Sequence, residues 1–268
     1  MQRYQFLKSL ILEAGERLKR QFGRVKSIQI KEGASTNLVT NVDREIEDFI
    51  KRRIRKNFPD DSILAEESAA EDLTSGKKWI IDPLDGTTNF AHSLPIFCIS
   101  IAVEEEGVVT AGAVYNPIAN EFFYARKGKG ASFNGKKIHV SKTKKLREAL
   151  LVTGFPYTIH SHPEDSLPFF NTVIVQAQGV RRLGSAALDL CYLAMGRFDG
   201  FFEVYLNAWD TAAGVLMLTE SGGHITDFEG RPYSIYQREL AASNGYIQDE
   251  MVSILTETKK GRLKEVVQ

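Results

Sequence analysis

Cysteine, surplus charge and long apolar runs are all scarce in this sequence, and each scarcity argues against a class of protein. Of the 268 residues only Cys98 and Cys191 are cysteines, and both stand in apolar segments. This usage argues against a disulfide framework and indicates buried thiols in a reducing compartment. Lysine plus arginine and aspartate plus glutamate each number 34, so no overall charge directs the protein to nucleic acid or to an anionic membrane.

The sequence contains no segment that resembles a membrane helix or a secretion signal. Its first 22 residues are amphipathic and charged throughout, without the uninterrupted apolar core and small-residue cleavage site of a signal peptide. No apolar run approaches the roughly 18 residues that a membrane-spanning helix requires. We therefore expect a soluble protein of the cytoplasm.

The spacing of apolar residues predicts helices near both ends of the chain and strands between them. Spacings of three and four residues predict helices over residues 4–22, 40–58, 185–195 and 211–221. Residues 79–140 have the pattern of short apolar strands separated by turn residues such as Asn-Gly.

A polar, basic segment at residues 142–148 is the most plausible seam between two halves of the chain. The first half, residues 1–141, has the pattern of an α+β unit with antiparallel hairpins. The second half, residues 142–268, alternates strands and helices as an α/β unit does. We expect the two halves to pack as one catalytic unit.

The segment WIIDPLDGTTNF, residues 79–90, runs from three apolar residues directly into two carboxylates. The apolar residues suit a buried strand, and active sites in such sheets lie beyond the carboxyl ends of the strands. Asp82 and Asp85 stand at that end. Pro83 holds the preceding residue extended, and Gly86 permits close approach of the backbone. Taken alone, the two aspartates could also simply cap a turn and a helix.

Two threonines and two further acidic segments add polar groups to this stretch. Thr87 and Thr88 can begin the next helix and offer hydroxyls and free N–H groups, which suit a phosphate. Glu66 and Glu67 follow an apolar run, and Asp210 stands at a predicted helix start. Read separately, Glu67 could pair with a lysine and Asp210 could be a plain N-cap.

Several carboxylates at the ends of elements make the ligand set of a hard cation. Two carboxylates 4 Å apart repel by about 4 kcal/mol at an effective dielectric of about 20. A buried group of them therefore needs protons, cationic partners or metal. Residues 79–90 include no basic residue, and oxygen ligands without a Cys/His cluster favour Mg²⁺ over Zn²⁺. The residues favour a magnesium site formed by Asp82, Asp85, Asp210 and the acidic pair Glu66-Glu67.

Three segments, in this order, resemble the signatures of the inositol monophosphatase family of Mg²⁺-dependent, lithium-sensitive sugar phosphatases. They are LAEES (residues 64–68), WIIDPLDGTTNF (79–90) and WDTAAGVLMLTESGG (209–223). The chain length also matches, and the resemblance extends from about residue 7 to residue 246. It implies a layered αβαβα sandwich of alternating helices and sheets.

The resemblance implies a role for each matched residue. Glu66 would bind metal and, with Thr87, orient or activate the attacking water, while Asp43 would pair with Thr87. The backbone of Gly86 and Thr87 would bind phosphate. Two to three Mg²⁺ ions would be held by Glu66, Asp82, the carbonyl of Leu84, Asp85 and Asp210.

Substrate contacts are implied for the second half of the chain. The loop Gly184-Ser185-Ala186 matches one that touches inositol hydroxyls, and Glu203 matches a glutamate that binds them. For Asp189, in the same region, we expect an ordinary helix role. The loop 154–157 departs from the more polar loops of some animal members, which leaves the substrate preference open.

The implied reaction is hydrolysis of inositol-1-phosphate to inositol and phosphate by metal-activated water, in a homodimer. Alternatives within the same superfamily are a broader sugar phosphatase that also accepts fructose-1,6-bisphosphate and a nucleotide 3′-phosphatase. An alternative of another class is a regulator that binds RNA or the transcription machinery, RNA polymerase included, through Arg181 and Arg182. A complete metal site would be unnecessary for binding alone, so the sequence favours the enzyme.

Overall fold

The structure, a computed structural model, describes residues 2–24, 28–30, 38–71 and 75–266. The side chains of residues 28–30, 38–40 and 262–266 lie outside this description, including Thr40 at the predicted start of the second helix. None of the helices in the described ranges is both long and apolar enough to cross a membrane.

The described residues contain seven α-helices and fourteen strands. The helices are α1 (Arg3–Gln21), α2 (Asn41–Asn57), α3 (Thr87–Ala91), α4 (Leu167–Ile174), α5 (Ala186–Ala194), α6 (Ala208–Glu220) and α7 (Gln248–Val266). The strands are β1 (Ile28–Ile30), β2 (Leu38–Thr40), β3 (Ser62–Ala65), β4 (Lys77–Asp85), β5 (Cys98–Glu105), β6 (Val108–Asn116), β7 (Glu121–Arg126), β8 (Gly130–Phe133), β9 (Lys136–Lys137), β10 (Leu150–Thr153), β11 (Gly179–Arg181), β12 (Gly200–Val204), β13 (His224–Thr226) and β14 (Glu239–Ser243).

Helices and sheets alternate in five layers, which confirms the predicted αβαβα sandwich. Helices α1 and α2 cover one face of a seven-stranded sheet of order β3-β4-β5-β6-β7-β8-β9. Helices α5 and α6 lie between that sheet and a five-stranded sheet of order β11-β10-β12-β14-β13. Helices α4 and α7 cover the far face of the second sheet.

Each central strand sends alternate side chains into different cores, as the two-residue period of a strand requires. On β4, Trp79 and Ile81 pack under α1 and α2, whereas Ile80 faces the middle helices. On β12, Phe201 joins the middle core and Phe202 the outer core beneath α4 and α7. Both strands are therefore apolar on both faces, which explains their unbroken apolar runs.

Small residues let α6 lie close to the first sheet and to α5. A Cβ added at Gly112 of β6 would lie 2.9 Å from the α-carbon of Ala213 in α6. A Cβ added at Gly214 would lie 2.7 Å from Leu190 of α5. The Ala-Ala-Gly run of the third signature segment is thus a packing device, and it brings the amino end of α6 to the sheet that carries the first two segments.

Each sheet is built from one part of the chain, while the middle core is shared. The seven-stranded sheet uses residues 62–137 and the five-stranded sheet residues 150–243. In the second sheet β11, β10 and β12 are parallel to one another, and β14 is antiparallel to both of its neighbours, β12 and β13. The division into halves at residue 141 stays a prediction.

Candidate active site

The parallel pairing of β3 and β4 brings two acidic side chains to one sheet edge. Ala65 lies opposite Ile81 in the register of this pair. The N–H of Glu66 donates to the carbonyl of Ile81 at 3.2 Å. Glu66 therefore leaves β3 at the level where Asp82 stands on β4, although the two residues are 16 positions apart in the sequence.

The turn that ends β4 holds a threonine hydroxyl between two oxygen atoms. The register of β4 against β5 shifts between Asp82 and Asp85, as in a bulge. Within the bulge, Asp82 Oδ1 accepts the N–H of Leu84 at 3.0 Å. The hydroxyl of Thr87 lies 2.9 Å from Asp43 Oδ1 and 3.0 Å from the carbonyl oxygen of Leu84. Its single proton can go to only one of them.

Gly86 occupies a position that no larger residue fits. Its φ is 98°, in the left-handed region that favours glycine. A Cβ there would lie 2.9 Å from the carbonyl oxygen of Ile96 and 3.2 Å from that of Gly184. The backbone of this turn is thus packed against two other segments, which positions the acidic residues around it.

Asp85 is held by the amino end of α5. Its Oδ2 accepts the hydroxyl of Ser185 at 2.7 Å and the N–H of Ala187 at 2.8 Å. Burial raises the pKa of Asp85 to about 6, and these hydrogen bonds limit the rise. The Ser185 side chain thus contacts Asp85, while the loop 184–186 lines the same cavity; its predicted contact with substrate hydroxyls stays a prediction.

Asp210 is the third residue of α6 and not its N-cap. The helix begins at Ala208, three residues before the predicted start, and Asn207 is its N-cap. Asn207 and Asp210 form a capping box, in which the N–H of Asn207 donates to Asp210 Oδ2 at 2.6 Å. The plain N-cap interpretation of Asp210 is therefore wrong in detail, since Asp210 caps the helix from its third position. Asp210 also lines the cavity, and its role as a metal ligand stays a prediction.

The second sheet supplies the opposite wall from the ends of its parallel strands. Because Thr153 of β10 pairs with Phe202 of β12, Gly154 and Glu203 are neighbours one residue further on. A Cβ added at Gly154 would lie 2.2 Å from Glu203 Oε1, so the glycine makes room for the carboxylate.

A cavity of about 570 Å³ joins these walls. All but one of the residues predicted for the site line it, from both sheets and from the amino ends of three helices: Glu66, Asp82, Leu84, Asp85, Gly86, Thr87, Gly184, Ser185, Ala186, Glu203 and Asp210. The exception is Asp43 of α2, which is fully buried behind Thr87.

The carboxylates on the first wall resist full ionisation together. Burial, and then the charge of Glu66, raises the pKa of both Asp82 and Asp210 well above the usual value. On the opposite wall burial raises the pKa of Glu203 to about 8, and the charge of Asp210 adds to this rise. Shifts of this kind, caused by burial and by neighbouring carboxylates, are typical of functional sites.

The donor set suits a hard cation. The buried oxygen atoms that could hold one belong to carboxylates and to a backbone carbonyl, as Mg²⁺ prefers, and among the residues that the structure describes no lysine lines the cavity. In the part of the chain that the structure describes, no three His, Cys, Asp or Glu side chains are placed to hold one ion as they stand. A cation here therefore draws on the Leu84 carbonyl as well as on carboxylates.

Comparison with known sequences shows which family this fold belongs to. Residues 2–260 match the inositol monophosphatase family. The chain belongs to this family. Membership makes the protein a phosphatase of a family that is in general metal-dependent, as the acidic segments indicate.

Relatives of the chain carry three kinds of name. It is similar to an inositol-1-monophosphatase of Mesorhizobium japonicum, with 38% identity over 94% of this chain and 95% of the relative. It is also similar to a fructose-1,6-bisphosphatase/inositol-1-monophosphatase of Thermotoga maritima, with 40% identity over 96% and 97%. A Nus factor SuhB of Vibrio cholerae is 41% identical over 87% of each chain.

A solved structure of this family supports the same architecture. The inositol monophosphatase of Thermotoga maritima superimposes with a TM-score of 0.88 at 38% identity, over 98% of this chain and 100% of the other. The layered arrangement is therefore that of the family.

One acidic residue of the cavity wall was expected to have only a structural role. Asp189, for which a helix role was expected, lines the cavity and is 1% exposed. Burial, and then the charge of Glu203, raises its pKa well above the usual value. The available signal was an acidic residue inside the otherwise apolar run AALDLCYLA.

Proposed function

We propose that the protein is a Mg²⁺-dependent phosphomonoesterase that hydrolyses inositol-1-phosphate to inositol and phosphate. The observation that carries this proposal is a single cavity with two different walls. One wall holds the buried acidic cluster and the threonine turn, and the other holds Glu203 and the loop 184–186. The family match and the names of relatives support the same reaction.

The acidic wall would hold two to three Mg²⁺ ions. Bound there, Mg²⁺ would neutralise the phosphate ester, acidify the attacking water and stabilise the leaving alkoxide. The ligands we propose are Glu66, Asp82, the carbonyl of Leu84, Asp85 and Asp210. The raised pKa values of Asp82, Asp85 and Asp210 support this assignment, because a bound cation would stabilise carboxylates whose charge is disfavoured first by burial.

Thr87 and Glu66 would orient and deprotonate the water. When the Thr87 hydroxyl donates to Asp43 at 2.9 Å, its lone pairs are left to accept a hydrogen bond. Thr87 itself is too weak a base to remove a proton, so Glu66 would take that role. Asp43 is a positioning residue, because it lies behind the threonine.

The turn at Gly86 and Thr87 would place the phosphate. Both residues line the cavity beside the acidic cluster. Since a side chain at position 86 would collide with the Ile96 carbonyl, the backbone there presents N–H groups without obstruction. The ester oxygen of the substrate would then lie between the acidic wall and Glu203.

A broader sugar phosphatase is the alternative within the family. The name of the Thermotoga maritima relative covers both activities. Arg182 and Arg238 both line the cavity, and either could meet a second phosphate. Turnover of fructose-1,6-bisphosphate relative to inositol-1-phosphate separates the two possibilities.

A regulator of transcription is the alternative of another class, supported by the name of the Vibrio cholerae relative. The two arginines invoked for it diverge. Arg182 lines the cavity, whereas Arg181 is exposed and donates only to the neighbouring Val180 carbonyl at 3.2 Å. Arg181 is therefore the residue to replace in a test of RNA or polymerase binding. We also propose, as part of the phosphatase function, that the protein is a homodimer and lies in the cytoplasm.

The Asp82→Asn variant tests the phosphatase proposal. We expect phosphate release from inositol-1-phosphate to require Mg²⁺ and to fall by about 10³-fold or more in this variant, because one oxygen ligand and its charge are lost. The fold should persist, since Asn relieves repulsion in a buried group. Asp249→Asn on the exposed start of α7 is the matched control. Undiminished release in Asp82→Asn or in excess chelator would contradict the proposal.

A further inference from the structure

Asp189 is a buried acid without a structural reason for its charge. It lies in the first turn of α5, surrounded by apolar neighbours in the sequence, and is 1% exposed. Neither of its carboxylate oxygens has a hydrogen-bond partner among the described residues. Burying an unpaired carboxylate opposes folding, so the residue needs another explanation.

Capping of α5 does not explain it. The free N–H groups at the start of this helix serve Asp85, which accepts from Ala187 at 2.8 Å. The N–H of Asp189 makes the ordinary helical hydrogen bond to the Ser185 carbonyl at 2.9 Å. The carboxylate is left to face the cavity, which it lines.

After burial, the charged groups that act most strongly on the Asp189 carboxyl are Glu203, then Asp85, then Arg182. Asp85 is already held by Ser185 and Ala187, which leaves Glu203 and Arg182 beside Asp189. Glu203 sits over Gly154, whose missing side chain gives it room. The Arg182 guanidinium lies against Gly184, with Nη1 3.0 Å from the position of an added Cβ. Among the described residues the three charged groups form no hydrogen bond or salt bridge with each other, so this wall holds two acceptors and one donor that face the cavity.

We propose that Asp189, with Glu203, binds adjacent hydroxyl groups of a polyhydroxylated alcohol on the side of the substrate away from the phosphate. A hydroxyl group can donate to a carboxylate and accept from Arg182 at the same time. A second phosphate in its dianionic form offers no hydrogen-bond donor, and its charge beside the two carboxyl groups costs Coulomb energy whenever either of them is ionised. Asp189 thus determines specificity for a polyol over a bisphosphate at this position. This inference rests on the proposed function, whose site it extends.

Two phosphate esters of different alcohols test the assignment. Inositol-1-phosphate carries the hydroxyls that Asp189 would bind, and p-nitrophenyl phosphate carries none. In Asp189→Ala we expect kcat/KM for inositol-1-phosphate to fall 10–100-fold, with a change of less than about 3-fold for p-nitrophenyl phosphate. Asp189→Asn, which keeps one acceptor, should fall between Asp189→Ala and wild type. An equal fall for both esters, or no fall for either, overturns the proposal.

The control is Asp199→Asn, another buried aspartate that does not line the cavity. Asp199 accepts from Ser141 and from the Leu150 N–H, so its replacement should change stability and affect both esters alike. This variant separates a loss of folding from a loss of specificity.

Free myo-inositol separates this inference from the proposed function. We expect it to raise the Tm of the wild type in the presence of Mg²⁺ and phosphate. The Asp189→Ala variant should need at least a 10-fold higher inositol concentration for the same rise in Tm. If the wild type binds inositol but does not hydrolyse its phosphate ester, the proposed function fails and Asp189 keeps its role. If the wild type does not bind inositol, or both proteins bind it equally, the inference on Asp189 fails.

Discussion

Gly86 is the single residue on which the geometry of the acidic turn depends most directly. Its left-handed backbone and its contacts with the Ile96 and Gly184 carbonyls exclude a side chain for two separate reasons. The neighbouring Thr87 and Asp85 are placed by the same turn. A change at position 86 therefore alters the site and the fold together.

A comparison of Gly86→Ala with Gly222→Ala should separate the cost of backbone strain from the cost of steric contact. Gly222 has a similar φ of 92° but nothing within 4 Å of an added Cβ. We expect Gly222→Ala to destabilise by about 1 kcal/mol through backbone strain alone. Gly86→Ala should add about 1–3 kcal/mol of overpacking and lower kcat/KM at least 10-fold. Urea unfolding and phosphate release measure both, and equal effects of the two variants would contradict this account.

Individual side chains differed in how far the sequence could predict them. Asp82, Asp85 and Glu66 were predicted to converge, because each directly follows an apolar strand, and all three line one cavity. Asp189 could not be assigned, since its position in a helix gives no sign of which face meets the cavity. Only the packing of α5 between two sheets shows that face.

At the level of elements, α6 has two functions that share its amino-terminal half. Its first turn carries Asp210 in a capping box, and the following small residues let the helix approach β6. The close approach is what brings Asp210 from the second half of the chain to the acidic wall on the first sheet. Helix packing and the metal binding that we propose for Asp210 therefore depend on the same element.

Gly112→Ala should test that coupling, with Gly261→Ala in α7 as the same substitution in a helix position without neighbours. An added Cβ at Gly112 would press on the Ala213 backbone, whereas nothing lies within 4 Å at Gly261. We expect Gly112→Ala to cost about 1–3 kcal/mol and to weaken Mg²⁺ activation, because it displaces Asp210. Gly261→Ala should stabilise by up to about 1 kcal/mol. An unchanged Mg²⁺ dependence in Gly112→Ala would show that packing and metal binding are independent.

At the scale of the whole molecule, the buried carboxyl groups of the cavity destabilise the fold when they are ionised. Binding of a cation or of protons relieves this cost. Burial raises the pKa values of acids on both walls when the protein folds, and neighbouring carboxylates raise those of Asp82, Glu203 and Asp210 further. A group whose pKa is raised in the folded state binds protons more tightly there than in the unfolded chain. Stability should therefore fall as the pH rises through that folded pKa.

In chelator we expect the free energy of unfolding to decrease between about pH 5 and 8, with Mg²⁺ restoring it by mass action. The range follows from the pKa of Asp85, about 6, and that of Glu203, about 8. Glu203 is partly exposed, so we expect its share to be about 1–2 kcal/mol. Glu203→Gln should remove the part of the decrease in unfolding free energy that occurs between pH 6 and 8, while Glu257→Gln on the exposed face of α7 should not. Urea titrations at each pH decide this, and a stability that rises with pH would contradict it.

Most strands and helices and the segments of the acidic wall could be predicted from the amino-acid sequence, because periodicity, turn residues and short motifs act over short stretches of chain. The layered fold class and the family followed from the resemblance of three such segments to those of a known family. Tertiary structure alone decided that Ser185 contacts Asp85, that Asp210 lies inside its helix, and that Asp189 faces the cavity. The physical reason is that each of these depends on which helix face meets which sheet, and close packing between distant segments selects that face.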